Sequence, residues 1–421
     1  MGQLALRLAH AFRALRHRSF RIYWIGQWLS VNGTWMQTTA QAWLVYRLTD
    51  SPLVLGILSA VRFGPALVGS PIAGVLTDRL PRRLVVLATQ SLSLVQAVLM
   101  AVLTLSGAVR VWQVLVLALF QGIVDTLDTP ARQTLQVDIV GVEDLQSAVS
   151  LNASAFNAAR MVGPALAGVL VAAWGEGVCF AVNAFSYLGV LAALLTIRTA
   201  PAPSPASNSM RAELAEGVRY AWGNVQVRTM LGGIAVTSVF GLSYTTLLPV
   251  FARDVLHGGV RGFGALMASG GLGAMIGALA AAARRSVRHT GVIMAAGQGA
   301  LGLGLVALAF TRNLAVASVW MVVIGLGVAI QLSTTNGFLQ TTAPPHMRGR
   351  VVSLYIWLFS GLSPIGGFAA GWIAEHAGAP WTAAGAGTAC ALAAAATGFE
   401  MSFVRRVFGR RYRGAGGNRE R

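Results

Sequence analysis

Gly74-Val-Leu-Thr-Asp78-Arg79-Leu-Pro-Arg82-Arg83-Leu84 is a charged island between two runs almost without charge, 51–77 with Arg62 alone and 84–109 with none. A helix needs roughly 20 apolar residues to cross a bilayer, so the island reads as a water-facing turn between two crossings. Working outward, the same alternation recurs along the chain. Uncharged runs lie at 22–46, 177–197, 229–252, 262–283, 289–311, 313–347, 351–374 and 376–399. Two further spans carry charge within them, 111–133 with Asp125 and Asp128, and 145–175 around Arg160. The pattern predicts an all-α integral membrane protein with twelve transmembrane helices.

Composition agrees with that reading. Of 421 residues, 55% are hydrophobic and 11% charged, against roughly 25% charged in an ordinary soluble domain. A skin that faces lipid needs charge only at its two aqueous rims. The net charge of +18 would suit nucleic acid, but its placement favours topology instead. Arg47, Arg110, Arg253, Arg261 and Arg312 fall on one face, while Arg13, Arg16, Arg79, Arg82, Arg83, Arg284, Arg285, Arg348, Arg350 and the tail from Arg405 fall on the other. That asymmetry places both termini in the cytoplasm and brings anionic lipid headgroups, not nucleic acid, against the basic face.

All 32 basic residues are Arg. Without lysine there is no P-loop and no Schiff base, so any pumping must draw on a gradient or a partner. Cys179 and Cys390 stand far apart in apolar runs, and the six His are scattered. No metal-ligand cluster, cofactor motif or catalytic constellation is expected, and the chain does not read as an enzyme. The stretch Met1–Arg21 bears Arg without a small-residue cleavage site and reads as retained.

Ala200-Pro-Ala-Pro-Ser-Pro-Ala-Ser-Asn-Ser209 cannot be helical and divides the spans into two sets of six. Leu214, Val218, Ala221, Trp222 and Val225 then repeat at helical spacing, which predicts a short helix on the cytoplasmic surface. The boundaries that follow are 1–199 and 226–404 for the six-helix halves, 200–225 for the linker with its surface helix, and 405–421 for a basic tail. The halves also match each other. Gly56 and Gly69 align with Gly264 and Gly277 at an offset of 208, Leu135-Gln136 with Leu339-Gln340 at 204, and Gly163, Gly168 and Gly175 with Gly366, Gly371 and Gly378 at 203. Parallel repeats of six helices are a transporter architecture, with the site near midplane between them.

Charges inside the spans bear most on mechanism, because Arg at the bilayer centre costs about 2.5–3.5 kcal/mol even on insertion scales. Arg62, Arg160, Asp125 and Asp128 must therefore face an interior or lie near a rim. Asp125 and Asp128 share a helix face, and three readings stay open: ion pairing with Arg62 or Arg160, substrate or proton handling, or a rim position. The first span is unusually polar, with Gln27, Ser30, Asn32, Thr34, Gln37, Thr38 and Gln41, which suits either a hydrogen-bonding cavity wall or ties between helices.

The loop with Gly74, Asp78, Arg79, Arg82 and Arg83 resembles the G-x-L-a-D-R-x-G-R-[KR] loop of the major facilitator superfamily, with Pro81 at the second Gly. Asn152, Asn157, Arg160 and Gly163-Pro164-Ala-Leu-Ala-Gly168 resemble that superfamily's antiporter motif GPxxGG, with Ala167 at the penultimate position. With Trp35-Met-Gln37 and Leu48-Thr-Asp-Ser-Pro-Leu-Val-Leu-Gly56, the chain is similar to the branch of bacterial exporters that contains the enterobactin exporter and macrolide efflux relatives. The resemblance implies the major facilitator fold and export of a siderophore-like or amphiphilic organic solute by alternating access, coupled to protons. It implies a cytoplasmic gating loop around Asp78 and hinge or packing roles for Gly163, Pro164 and Gly168. It implies that the first, fourth, seventh and tenth spans line the cavity, and together with the charges inside the spans the expected pathway includes Trp35, Gln37, Arg62, Asp125, Asp128, Asn157, Arg160, Tyr244, Gln331 and Asn336. The expected setting is a monomer in a bacterial inner membrane, with a small-molecule substrate, protons and lipids as its partners. A multidrug or macrolide exporter is the first rival reading, and a non-transporting membrane scaffold the second. The superfamily's fourth-span Arg is absent, Ala118 standing in its place, so proton coupling through that residue does not carry over.

Overall fold

A computed structural model describes residues 12–197, 210–283 and 290–416. The linker 200–209, Arg284 and Arg285, the side chains of Asp78 and Arg79, and the side chains beyond 400 lie outside the described residues. Among those described there are helices and turns but no strand. The helices are α1 Arg18–Thr49, α2 Pro52–Arg79, α3 Arg82–Leu105, α4 Val111–Trp174, α5 Glu176–Thr196 and α6 Met210–Gly223. They continue as α7 Val225–Val255, α8 Gly259–Ala282, α9 Thr290–Phe310, α10 Leu314–Thr342, α11 Pro345–Ala377 and α12 Ala379–Gly416.

Local chemistry sets the ends. Ser51 caps α2 by accepting from the Val54 N–H, with Pro52 in the first turn where its missing donor costs nothing. Asn313 caps α10 through two backbone N–H groups. Asp50 ends α1 in the left-handed region at φ 51°.

Ten helices among the described residues have the length and apolarity to cross a membrane. Helix α1 has the length, 32 residues, but its row of Gln, Asn, Ser and Thr lowers its apolarity. Helix α4 has 64 residues, about 96 Å at 1.5 Å per residue, far more than one crossing needs. It bends at Gly141, whose φ of 73° and ψ of 175° leave the helical region in a conformation that glycine adopts without a β-carbon clash. The connecting segment expected between the fourth and fifth spans is thus a one-residue elbow. Counting the two arms of α4 separately and adding the polar α1 gives twelve segments of membrane-spanning length among the described residues. A short 3-10 turn, Arg13–Arg16, docks on this elbow: Arg13 Nε and His17 Nε2 approach the two Asp144 carboxylate oxygens at 3.0 and 2.8 Å, and the Ala14 N–H donates to Ser147 Oγ at 3.0 Å.

Packing divides the helices into two bundles. Helices α1 and α3 lie against α4 and α5; α10 lies against α8 and α9, and α9 against α12. The seam between bundles is made by α2 on α11 and by α4 on α8. It is close because glycines face each other. A β-carbon on Gly56 would lie 3.1 Å from the Gly371 Cα, and one on Gly168 would lie 3.1 Å from the Gly264 Cα. Gly56 aligns with Gly264 and Gly168 with Gly371, so the two contacts are the same contact seen from the two repeats. Interhelical packing in lipid relies on such small residues.

Candidate functional site

Helix α2 carries Arg62 toward the first arm of α4, where its guanidinium lies 2.5 Å from Asp125 Oδ2. The other carboxylate oxygen accepts from Gln121 Nε2 at 2.8 Å, and that amide also donates to Ser93 Oγ of α3 at 2.9 Å. Arg62 is 12% exposed and Asp125 39%, so the carboxylate is the open end of the pair. Beneath it the backbones touch: a β-carbon on Gly122 would sit 2.3 Å from the Arg62 carbonyl oxygen. In the second repeat Gly325 makes the equivalent crossing, with a β-carbon 2.0 Å from the Gly270 carbonyl oxygen. There the places of Arg62 and Asp125 are taken by Gly270 and Val328. The same helix crossing is therefore built once with an ion pair and once without.

Asp128 is 2% exposed and pairs with Arg132 one turn along the same helix. It also accepts from Thr89 Oγ1 at 2.6 Å and Gln90 Nε2 at 2.9 Å. Neither aspartate pairs with Arg160. At the aligned positions of the second repeat, Asp128, Arg132 and Gln90 become Gln331, Thr335 and Gln298. Gln331 Oε1 accepts from Thr237 Oγ1 at 2.8 Å, its amide donates to the Gly233 carbonyl at 3.2 Å, and Gln298 donates to that carbonyl at 3.1 Å. An ionic node in one bundle corresponds to a neutral node in the other.

Arg160, on the second arm of α4, makes no ion pair among the described residues. Its guanidinium lies 5.9 Å from the centre of the Trp35 ring, and Trp35 in turn meets Phe156 edge-on at 5.7 Å. The hydroxyl of Tyr244, on α7 of the other bundle, lies beside Arg160. Tyr244 follows a π-helical turn at Thr237–Gly241, a local widening found often at functional sites.

Other expected pathway residues are engaged elsewhere. Gln37 is buried, donating to Gln96 at 2.8 Å and accepting from Asn183 at 2.8 Å, and so ties α1 to α3 and α5 inside the first bundle. Gln331 does the same in the second. Asn157 donates to Ala153 of its own helix and Asn336 accepts from Gln340. Gly163 lets α4 reach α1, a β-carbon there falling 2.6 Å from the Trp35 Cβ. Pro164 is buried within the continuous helix, and its carbonyl oxygen would lie 2.7 Å from a β-carbon on Gly264. In the charged loop, Arg82 lies 2.7 Å from Asp138 of α4, while Arg83 donates to the carbonyls of Leu194 and Leu195 at the end of α5.

One end of the molecule is bridged between bundles. Arg253 lies 2.5 Å from Asp50, and the Tyr46 hydroxyl donates to Asp254. Glu375 Oε2 accepts from the Ser51 hydroxyl and the Leu53 N–H at 2.8 and 3.0 Å, and Trp43 stacks on Phe263 at 6.1 Å. At the opposite end, among the described residues, no hydrogen bond or ion pair joins the bundles. From the sequence Arg253 reads as a charge of one face and Asp50 as part of the exporter-like stretch, while Arg132, Tyr46, Asp254 and Glu375 receive no reading. Only the i,i+4 spacing of Asp128 and Arg132 offered a signal, since the rest depends on which helix ends meet. A groove of about 540 Å³ between α3 and α5, lined by Leu94, Val98, Leu105, Ala184, Phe185 and Leu188, is wholly apolar and apart from these residues.

Residues 9–406 match the family described as transmembrane secretion effector. The chain is 26% identical over 339 residues to the staphyloferrin A transporter of Staphylococcus aureus, covering 79% of this chain and 84% of that one. It is 29% identical over 362 residues to the multidrug efflux pump Tap of Mycolicibacterium fortuitum, covering 82% and 87%. In fold it is similar to a bacterial homolog of the human lysosomal transporter Spinster, solved in an inward-facing and unoccupied conformation, with a TM-score of 0.66 at 16% identity over 93% of this chain and 96% of that one.

Proposed function

The chain belongs to the transmembrane secretion effector family of the major facilitator superfamily, and from that membership we propose that it exports a siderophore-like or amphiphilic organic solute by proton-coupled alternating access. The halves are placed at 1–199 and 226–404, joined by the linker 200–225 and followed by the tail 405–421. Both termini lie in the cytoplasm of a bacterial cell, as the Arg bias favours, and the protein works as a monomer. The end bridged by Arg253 and Glu375 then faces outward.

The observation that carries the coupling is the Arg62–Asp125 pair in one repeat and its absence from the matching crossing of the other. Packing does not require the charges, since Gly325 on Gly270 achieves the same approach without them. Withdrawing the Arg62 guanidinium, 12% exposed, from water is costly, so its presence in one repeat alone favours a task beyond folding. Asp125 is the more exposed partner. In the outward-facing state it takes one proton from the exterior, and the neutral carboxyl loses its hold on Arg62. In the inward-facing state it returns the proton to the cytoplasm and the pair re-forms. Asp78, Arg79, Arg82 and Arg83 act as the cytoplasmic gate, and the Gly163-Pro164 segment with Gly168 as the packing hinge against α8.

The test is extrusion from proteoliposomes under an imposed pH gradient, inside against outside. Accumulation that rises with the gradient and collapses with an uncoupler is expected. Transport indifferent to both would remove proton coupling.

The similarity to the Tap efflux pump supports a second reading, export of lipophilic drugs. A compound panel separates the two: extrusion of lipophilic cations with no extrusion of siderophore-type ligands favours the drug reading.

A further inference from the structure

We propose that Arg160, Trp35 and Tyr244 form the docking point for an aryl anion, a flat aromatic ring that bears a single carboxylate. This deepens the export reading above and rests on it for its place in a transport cycle. The first observation is a charge without a counterion. Arg160 is half-buried in the second arm of α4, and among the described residues no carboxylate lies within 4 Å of it, whereas Arg62 and Arg132 at comparable positions are both neutralised. A guanidinium held in a membrane interior is expensive unless an anion accompanies it, and its planar fork of donors matches a carboxylate in two parallel hydrogen bonds.

The second observation is the repeat. Arg160 aligns with Ser363, so the corresponding helix of the second half packs without a cation. The third is the company it keeps. The guanidinium stands over the Trp35 ring at 5.9 Å, Phe156 lies one turn before it on the same helix face and meets Trp35 edge-on, and Tyr244 approaches from the other bundle. Aromatic faces hold Arg160 in place by cation–π attraction and offer an incoming ring offset or edge contacts. An aliphatic acid would satisfy the charge but not these faces. Because Tyr244 belongs to the second bundle, a ligand at this point touches both halves and is sensed by their relative movement.

The experiment is calorimetric titration of the intact protein in lipid nanodiscs, with no gradient, against 1-naphthoate, 1-naphthamide, 1-naphthylmethylammonium and a saturated decalin carboxylate. Naphthoate should bind roughly tenfold or more tightly than the amide, as a charge-assisted bidentate contact provides, and more tightly than the saturated acid; the ammonium should be excluded. Arg160→Gln should erase the preference of acid over amide while leaving amide affinity, and Arg160→Lys should keep part of it. Trp35→Leu should bring naphthoate down to the level of the saturated acid. Equal binding of acid and amide, or a preference that survives Arg160→Gln in protein with an unchanged melting temperature, overturns the site. Saturated acid binding as well as naphthoate overturns its aromatic half. Should Arg160→Gln fail to fold, Arg160→Lys and the ligand series on the unmodified protein still decide the matter. Charge-selective binding without extrusion would defeat the export reading and leave the site standing; extrusion with charge-blind binding would do the reverse.

Discussion

Glu375, at the end of α11, accepts hydrogen bonds from both the side chain of Ser51 and the backbone of Leu53, so a carboxylate from the second half serves the open N-terminus of α2 in the first. Free N–H groups and the helix dipole make that position favourable for an anion. Glu375→Gln keeps the acceptor but removes the charge, and should shift the population away from the bridged conformation by roughly twofold to fivefold, the scale of an exposed cap. Spin labels on opposite sides of the bridged end would read it: a longer distance population should grow in the variant. An unchanged distribution would mean that Arg253–Asp50 and Tyr46–Asp254 hold the end closed without it.

Asp125→Asn should abolish the dependence of extrusion on the pH gradient while leaving substrate binding in its absence. Because the substitution strands Arg62 in the interior, the double variant Asp125→Asn with Arg62→Gln should be more stable than Asp125→Asn alone, with a coupling of about 1–2 kcal/mol, typical of contacting charged residues. Full gradient dependence in Asp125→Asn would take that residue out of the proton path.

Asp128 with Arg132 makes a contrasting case, since the second half already displays the neutral solution. Asp128→Gln alone leaves the half-buried Arg132 guanidinium without its partner and should cost about 1–3 kcal/mol, seen as lower abundance and melting temperature in detergent. Adding Arg132→Thr copies the Gln331 and Thr335 arrangement and should recover most of that loss. A double variant no more stable than the single one would show that the two halves are not interchangeable at this node.

Gly264→Val places a β-carbon 2.7 Å from the Pro164 carbonyl oxygen and 2.9 Å from the Gly168 Cα. Neither backbone atom can yield, so α4 and α8 must separate. Cysteine cross-linking across that seam should fall sharply and extrusion should be lost at normal abundance. Retained cross-linking would mean that the helices reseat without separating.

Much of the fold was legible because hydrocarbon excludes charge, and uninterrupted runs therefore announce crossings. The elbow at Gly141 was not, because Asp138, Glu143 and Asp144 gave the segment the look of a loop while its backbone stayed helical on either side. The repeat was legible through glycines, whose close approaches admit no other residue. The ion-pair partners were not, since pairing Asp125 with Arg62 depends on how α2 and α4 are rotated, which period alone leaves open. Gln37 illustrates the same limit: polarity on α1 marked an interior, but not whether that interior was the seam or the heart of one bundle.

The one-residue elbow at Gly141 also has a mechanical side. Asp125 and Arg160 stand 16 and 19 residues from it on the two arms of α4, about 24 and 28 Å along each axis. Several residues of slack at that corner would let the arms slide past each other. With a single glycine they form a crank with little play, so torque applied at the Asp125 end of one arm is delivered to the arm that carries Arg160.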